Sequence, residues 1–148
     1  MKNNLIILGI VSFFLIFLFN IPKKPAVISS VKIAGREVRV DLVTTEAEQI
    51  KGLSDRKNLA ENSGMLFVFE KSGNYPFWMK DMNFSIDMIW LGEDLKVIYI
   101  KKDARPESYP ESYGPSDSLP KAKYVLEVVS GFSEKNNLKE GDKVEFVY

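Results

Sequence analysis

The sequence has no Cys and no His, so few of its side chains can do chemistry. Their absence removes thiol nucleophiles, disulfides, Cys or His metal sites, Ser-His-Asp catalysis and a histidine pH switch. A metal could be held only by oxygens, and neither a metal site nor a cofactor is expected. The remaining chemistry gathers in FWMKDMNFSIDMIW, Phe77 to Trp90. There two Trp, two Phe, three Met and two Ile surround Lys80, Asp81 and Asp87.

Strand alternation sorts this stretch by face. Phe77, Met79 and Asp81 fall on one side, and Trp78, Lys80 and Met82 on the other. In a second strand Ile86, Met88 and Trp90 share a side, while Asp87 falls with Ile89 and Leu91. Both faces of that strand are apolar, so Asp87 is expected to be buried. A buried carboxyl needs hydrogen bonds or a cation, and the candidate cations are Lys80 and Arg56. The ordinary role for such a group is structural, because removing one member of a buried pair costs about 3–5 kcal/mol. The functional alternative makes Trp78 and nearby Met an apolar pocket wall, with Lys80 and Arg56 facing an anionic ligand and Asp87 orienting them. Arg56, Trp78, Lys80 and Asp87 are therefore the candidate ligand-binding residues. No residue is assigned as catalytic: Asp81 and Asp87 form the obvious carboxyl pair, but they fall on different strands. P-loop, G-x-G-x-x-G, EF-hand and G-x-S-x-G patterns are absent.

The elements that must position these residues are mainly β. VKIAGREVRVDLV reads as two strands around Ala34-Gly35. TEAEQIKGL reads as a short helix with Thr45 as N-cap, Glu48 closing a capping box and Gly52 as the stop. A polar loop, the strand MLFVF and a turn at KSGNYP lead to the two strands of Phe77–Leu91, separated near Asn83–Ser85. Gly92-Glu93-Asp94 turns the chain into KVIYI. Residues 103–120 read as one long loop holding a tandem Pro-Glu-Ser-Tyr repeat. KYVLEVVS, a short helix with Ser130 as a possible N-cap, and the final strand KVEFVY complete the chain. Seven or eight short strands and two helices predict a small antiparallel β-sandwich or barrel-like domain. No β-α-β alternation argues for parallel pairing.

That domain is expected over residues 31–148, which is one domain's length. Leu5–Ile21 is almost wholly apolar and uncharged. As a helix it would span about 25 Å, against a hydrocarbon core of about 30 Å. Residues 1–21 are therefore read as a membrane anchor, the alternative being a cleaved signal, and Pro22–Ser30 as a linker. A short N-terminal tail before the anchor favours a domain outside the cytoplasm. Formal net charge is zero, but Lys2, Lys23 and Lys24 lie before the domain, leaving it mildly acidic. Such a surface argues against nucleic-acid binding.

Three blocks carry a family resemblance: IKGLSDRKNLAENSGMLFVFE, FWMKDMNFSIDMIWL and AKYVLEVVSGFSEKNNLKEGDKV. Their order and spacing resemble domain-of-unknown-function family number 192 over nearly all of Val31–Val147. Matching positions include Gly52, Arg56, Gly64, Trp78, Lys80, Asp87, Glu127 and Gly131. The resemblance implies a small, mainly β domain, often exported or membrane-anchored, and brings no established activity. It supports Arg56, Trp78, Lys80 and Asp87 as a shared site. The sequence departs at Asp81-Met82, where relatives typically have Asn-Thr, at Ser85, where they have Pro, and in lacking loop cysteines.

The leading expectation is a membrane-tethered binding module for a small anionic ligand, a glycan or a protein segment, partly covered by the Tyr-containing loop. The competing one is a carboxylate-dependent hydrolase or lyase of envelope material, with Asp87 as acid or base. A purely structural domain is the third.

Overall fold

The computed structural model describes residues 27–148. The expected membrane segment of residues 1–21 lies outside the described residues. Within them no helix is long and apolar enough to cross a membrane. The strands are β1 (Ser30–Ile33), β2 (Arg36–Val43), β3 (Ser63–Gly73), β4 (Phe77–Trp78), β5 (Ile86–Leu91), β6 (Val97–Ala104), β7 (Ser112–Tyr113), β8 (Ala122–Val129) and β9 (Glu145–Val147). Two short helices, α1 (Glu46–Lys51) and α2 (Phe132–Lys135), interrupt them. The fold is mainly β, as the alternating pattern predicts.

Seven strands form one sheet in the order β6-β5-β8-β3-β2-β1-β9, and β4 pairs with β7 in a second, two-stranded sheet. Lys96, just before one edge strand, bridges to Lys143, just before the other. Bonds from Val97 N–H to Asp142 O and from Val144 N–H to Leu95 O, both 2.9 Å, hold that corner. The sheet therefore curls until its two edges meet there.

One pairing corrects the antiparallel expectation. β2 and β3 run parallel, from Arg39 opposite Ser63 to Val43 opposite Phe67. The connection between them carries α1, so β2-α1-β3 is a β-α-β unit. The sequence hides it because the helix has only six residues and the rest of the crossover is polar loop. α1 itself matches expectation: Thr45 Oγ1 accepts from Glu48 N–H, and the Glu48 carboxyl accepts from Thr45 N–H. Gly52 ends it at φ 48°, in the left-handed region.

The sheet has an apolar core on each side. One holds Met65, Phe67, Met88, Trp90 and Val125 under Leu53, Met79 and Tyr113. The other holds Leu66, Ile89, Leu91, Leu126 and Val128 with Val31, Val38, Phe132 and Leu138. Central β5 contributes to both, which is why all six residues of IDMIWL are buried. Burying both faces of a strand removes its usual polar alternation.

Three further local expectations change. β3 continues through Gly73, into the expected turn, with its pairing to β8 broken between Val68 and Gly73. The long 103–120 loop is structured: β6 reaches Ala104, a 3-10 turn spans Pro106–Ser108, and β7 pairs Tyr113 with Phe77 and Ser112 with Trp78. Ser130 does not cap α2; its hydroxyl donates to Asp103 Oδ1 at 2.8 Å. The first N–H groups at α2 bond to Asp87 instead.

Candidate functional site

Asp87 is fully buried, as both apolar faces of its strand require. Its partners are not the expected cations. Oδ1 accepts from Asp103 N–H at 2.9 Å and Gly131 N–H at 3.2 Å, and Oδ2 accepts from Ser133 N–H at 2.8 Å. Asp87 thus ties β5 to the end of β6 and to the start of α2. Three backbone donors satisfy it without Lys80 or Arg56.

Arg56 pairs elsewhere too. Its Nη2 lies 2.8 Å from Asp41 Oδ2 on β2, both side chains well exposed. Lys80 is exposed and Trp78 is 49% exposed. The alternation that sorted Phe77 to Met82 ends at Asp81, whose φ of 54° reverses the chain. Asp and Asn tolerate that conformation better than most residues. The Asn expected from the family resemblance would fit this turn equally. Of the four candidate residues, the structure brings Trp78 and Lys80 together at one pocket and leaves Arg56 and Asp87 off its walls.

That pocket has a volume of about 190 Å³ and opens to solvent. Its sheet side is Phe67, Phe69 and Glu127; the other walls are Gln49, Ile50 and Leu53 from α1 and its exit, Tyr75 to Trp78, and Met82. Glu46, Lys51 and Lys80 also line it. Hydrogen bonds fix these walls. Gln49 Nε2 donates to Val68 O at 3.0 Å, joining α1 to β3. Trp90 Nε1 donates from the core to Tyr75 O at 2.8 Å. Ser54 Oγ donates to Lys80 O at 2.9 Å, and Asp55 N–H to Asp81 O at 2.9 Å, joining the loop after α1 to the loop after β4. Phe77 packs edge-on against both Phe67 and Trp90.

Glu127 is the residue that the sequence reading did not single out. It sits mid-strand in β8, opposite Met65 of β3 and Met88 of β5. It is 5% exposed, and its Oε2 has no hydrogen-bond partner among the described residues. Burial among apolar groups raises its carboxyl to about 8, with Arg56 nearby pulling in the other direction. At neutral pH it is therefore largely protonated. β3 approaches it closely because Gly64 has no side chain: a Cβ there would lie 2.6 Å from the Glu127 carbonyl oxygen. The signal for Glu127 was present in YVLEVV, where it is the sole charge among apolar residues of both parities.

The chain belongs to domain-of-unknown-function family 192, described as uncharacterized ACR, which matches residues 29–146. No curated protein matches it. Among solved structures it resembles a protein of unknown function from Novosphingobium aromaticivorans DSM 12444. The two share 30% identity over 84% of this chain and 89% of that one, with a TM-score of 0.74. It also resembles a candidate transcription regulator from Sinorhizobium meliloti 1021, at 25% identity over 79% and 90% of the chains and a TM-score of 0.71.

Proposed function

We propose that this chain is a binding module, tethered to a membrane by Leu5–Ile21 with its domain outside the cytoplasm. Its pocket takes a small, largely apolar group. The observation that carries the reading is the α1–β8 pocket, walled by Leu53, Phe67, Phe69, Tyr75, Phe77 and Met82 and holding one unpartnered buried carboxyl. A cavity of roughly 150 Å³ lined by such residues accepts benzene, so about 190 Å³ suits a molecule or side chain of similar size. Trp78 and Ile50 at the mouth, 49% and 70% exposed, offer apolar contact to the part of the ligand left outside. The tether rests on the apolar N-terminal run, and protease protection of the full chain in intact cells tests which side the domain occupies.

A second reading has its own support in Glu127. A carboxyl kept protonated at neutral pH is what general-acid catalysis uses. In that reading the chain is a hydrolase or lyase, with Glu127 as the acid and Lys80 as the charge stabiliser. The pocket provides no second buried carboxyl to act with Glu127: its other acid is Glu46, which is exposed.

The binding reading is tested by Trp78 fluorescence in the full chain held in nanodiscs, with empty nanodiscs subtracted. The chain has two Trp, and Trp90 is fully buried, so Trp78 reports the pocket mouth. Molecules of five to eight carbons, aliphatic or aromatic, should give a saturable change that Met82→Phe weakens by filling the pocket. Absence of a saturable response to every member of the panel refutes the binding reading. Turnover of envelope-derived esters or glycosides that Glu127→Gln abolishes would establish the enzymatic one.

A further inference from the structure

We propose that the ligand of this pocket carries an ammonium group, which pairs with Glu127 while its apolar part lies among the aromatic walls. The inference rests on the pocket being a binding site. Glu127 Oε2 is a buried carboxyl oxygen with no hydrogen-bond partner among the described residues, and leaving such an atom unpaired is costly. Among the described residues, no cation pairs with it. Arg56 is engaged with Asp41 at 2.8 Å, and Lys51 and Lys80 are exposed at the pocket's edge. On the flanking strands the residues opposite Glu127 are Met65 and Met88, neither of which titrates. The remaining titratable groups lining the pocket are Glu46 on α1 and Tyr75 before β4. An incoming N–H donor would pair with this carboxyl once it ionises.

The walls favour a charged donor over a neutral one. Phe67, Phe69, Tyr75, Phe77 and Trp78 surround the approach to the carboxyl, and aromatic faces attract ammonium groups. A bound ammonium favours the ionised carboxyl, so binding below pH 8 expels the Glu127 proton to solvent. The complex then holds an ion pair where the free protein holds a neutral acid. The pocket volume limits the buried part to about six to eight non-hydrogen atoms. Two sources share this chemistry: a free primary amine, and a lysine side chain on a peptide.

The probes are pentylamine, pentanol and pentanoate, with an acetylated, amidated lysine tripeptide, each titrated calorimetrically into the full chain in nanodiscs. Pentylamine should bind at least about tenfold more tightly than pentanol at pH 8. Its affinity should rise by up to about tenfold per pH unit from pH 6 to 8 and level off above. Titrations at pH 6.5 in two buffers of different ionisation enthalpy should show nearly one proton released per amine bound. Glu127→Gln should abolish both the preference and the pH dependence while still binding pentanol. Stronger binding of the tripeptide than of pentylamine assigns the site to a lysine side chain, and the reverse order to a free amine. If pentanol binds as well as pentylamine, or no proton is released, the ammonium assignment is overturned and the apolar pocket stands. If no probe binds, the pocket reading falls with it.

Discussion

Replacing Glu127 by Gln preserves the size of the side chain and removes the proton that can be lost. In the unfolded chain the carboxyl titrates near 4.5, and in the folded protein near 8. Below about pH 4.5 it is protonated in both states and contributes no pH dependence. Between the two values the unfolded chain releases a proton that the folded protein retains, so stability falls as pH rises. Above about 8 the whole difference is felt. The gap of about 3.5 pH units, at about 1.4 kcal/mol each, corresponds to about 5 kcal/mol. This is an upper bound, because water entry and a swing of Arg56 from Asp41 towards Glu127 would relieve part of it. Urea unfolding at half-unit steps from pH 5 to 9, following circular dichroism, measures it. The parent and Glu127→Gln should agree within about 1 kcal/mol at pH 5. At pH 9 the variant should be the more stable by several kcal/mol. Parallel pH profiles for the two proteins would refute the burial argument, since they would mean the carboxyl ionises as easily folded as unfolded.

Two other predictions concern the frame of the pocket. Thr45→Ala removes the α1 capping box and should cost about 1 kcal/mol in urea unfolding, with a smaller loss for Thr45→Ser. Gly64→Ala should destabilise by more, about 1–3 kcal/mol, because its Cβ meets the Glu127 backbone oxygen at 2.6 Å and only separation of β3 from β8 relieves it. The same variant should broaden amide signals of Met65 and Val128 in nuclear magnetic resonance spectra.

Much of the fold follows from local sequence logic, and much of the site does not. Asp87 was correctly expected to be buried because residues of both parities around it are apolar. The α1 cap was legible because Thr45 and Glu48 have the spacing of two reciprocal hydrogen bonds. The partners of Asp87 were not legible: Asp103, Gly131 and Ser133 offer backbone N–H groups, which every residue but Pro has. Lys80 does not pair with Asp87: β4 stops at Trp78, the chain turns at Asp81, and three backbone N–H groups already satisfy the carboxyl. The parallel β2–β3 pair was hidden by the brevity of α1. Glu127 was missed although the argument used for Asp87 applies to it unchanged. Its strand, β8, is covered on both sides, so a lone charge in YVLEVV is buried as Asp87 is.

Asp87 and Glu127 stand on neighbouring strands and face opposite cores, and only one of them is satisfied. The sheet can bury a carboxyl comfortably, as three N–H bonds to Asp87 demonstrate. The bare Oε2 of Glu127 is therefore a property of that position rather than of the fold. The contrast gives opposite signs to two similar substitutions. Asn at 87 keeps one acceptor oxygen and turns an NH₂ towards backbone donors, leaving at least one N–H without a partner. At about 1–3 kcal/mol for each stranded group, Asp87→Asn should cost about 3 kcal/mol. The loss should persist at pH 9, where Glu127→Gln gains stability. The damage should be local, so hydrogen exchange ought to accelerate at Gly131 and Ser133 before it does so in β3. An unchanged unfolding midpoint for Asp87→Asn would show that those N–H groups find other partners, and the structural assignment of Asp87 would then fail.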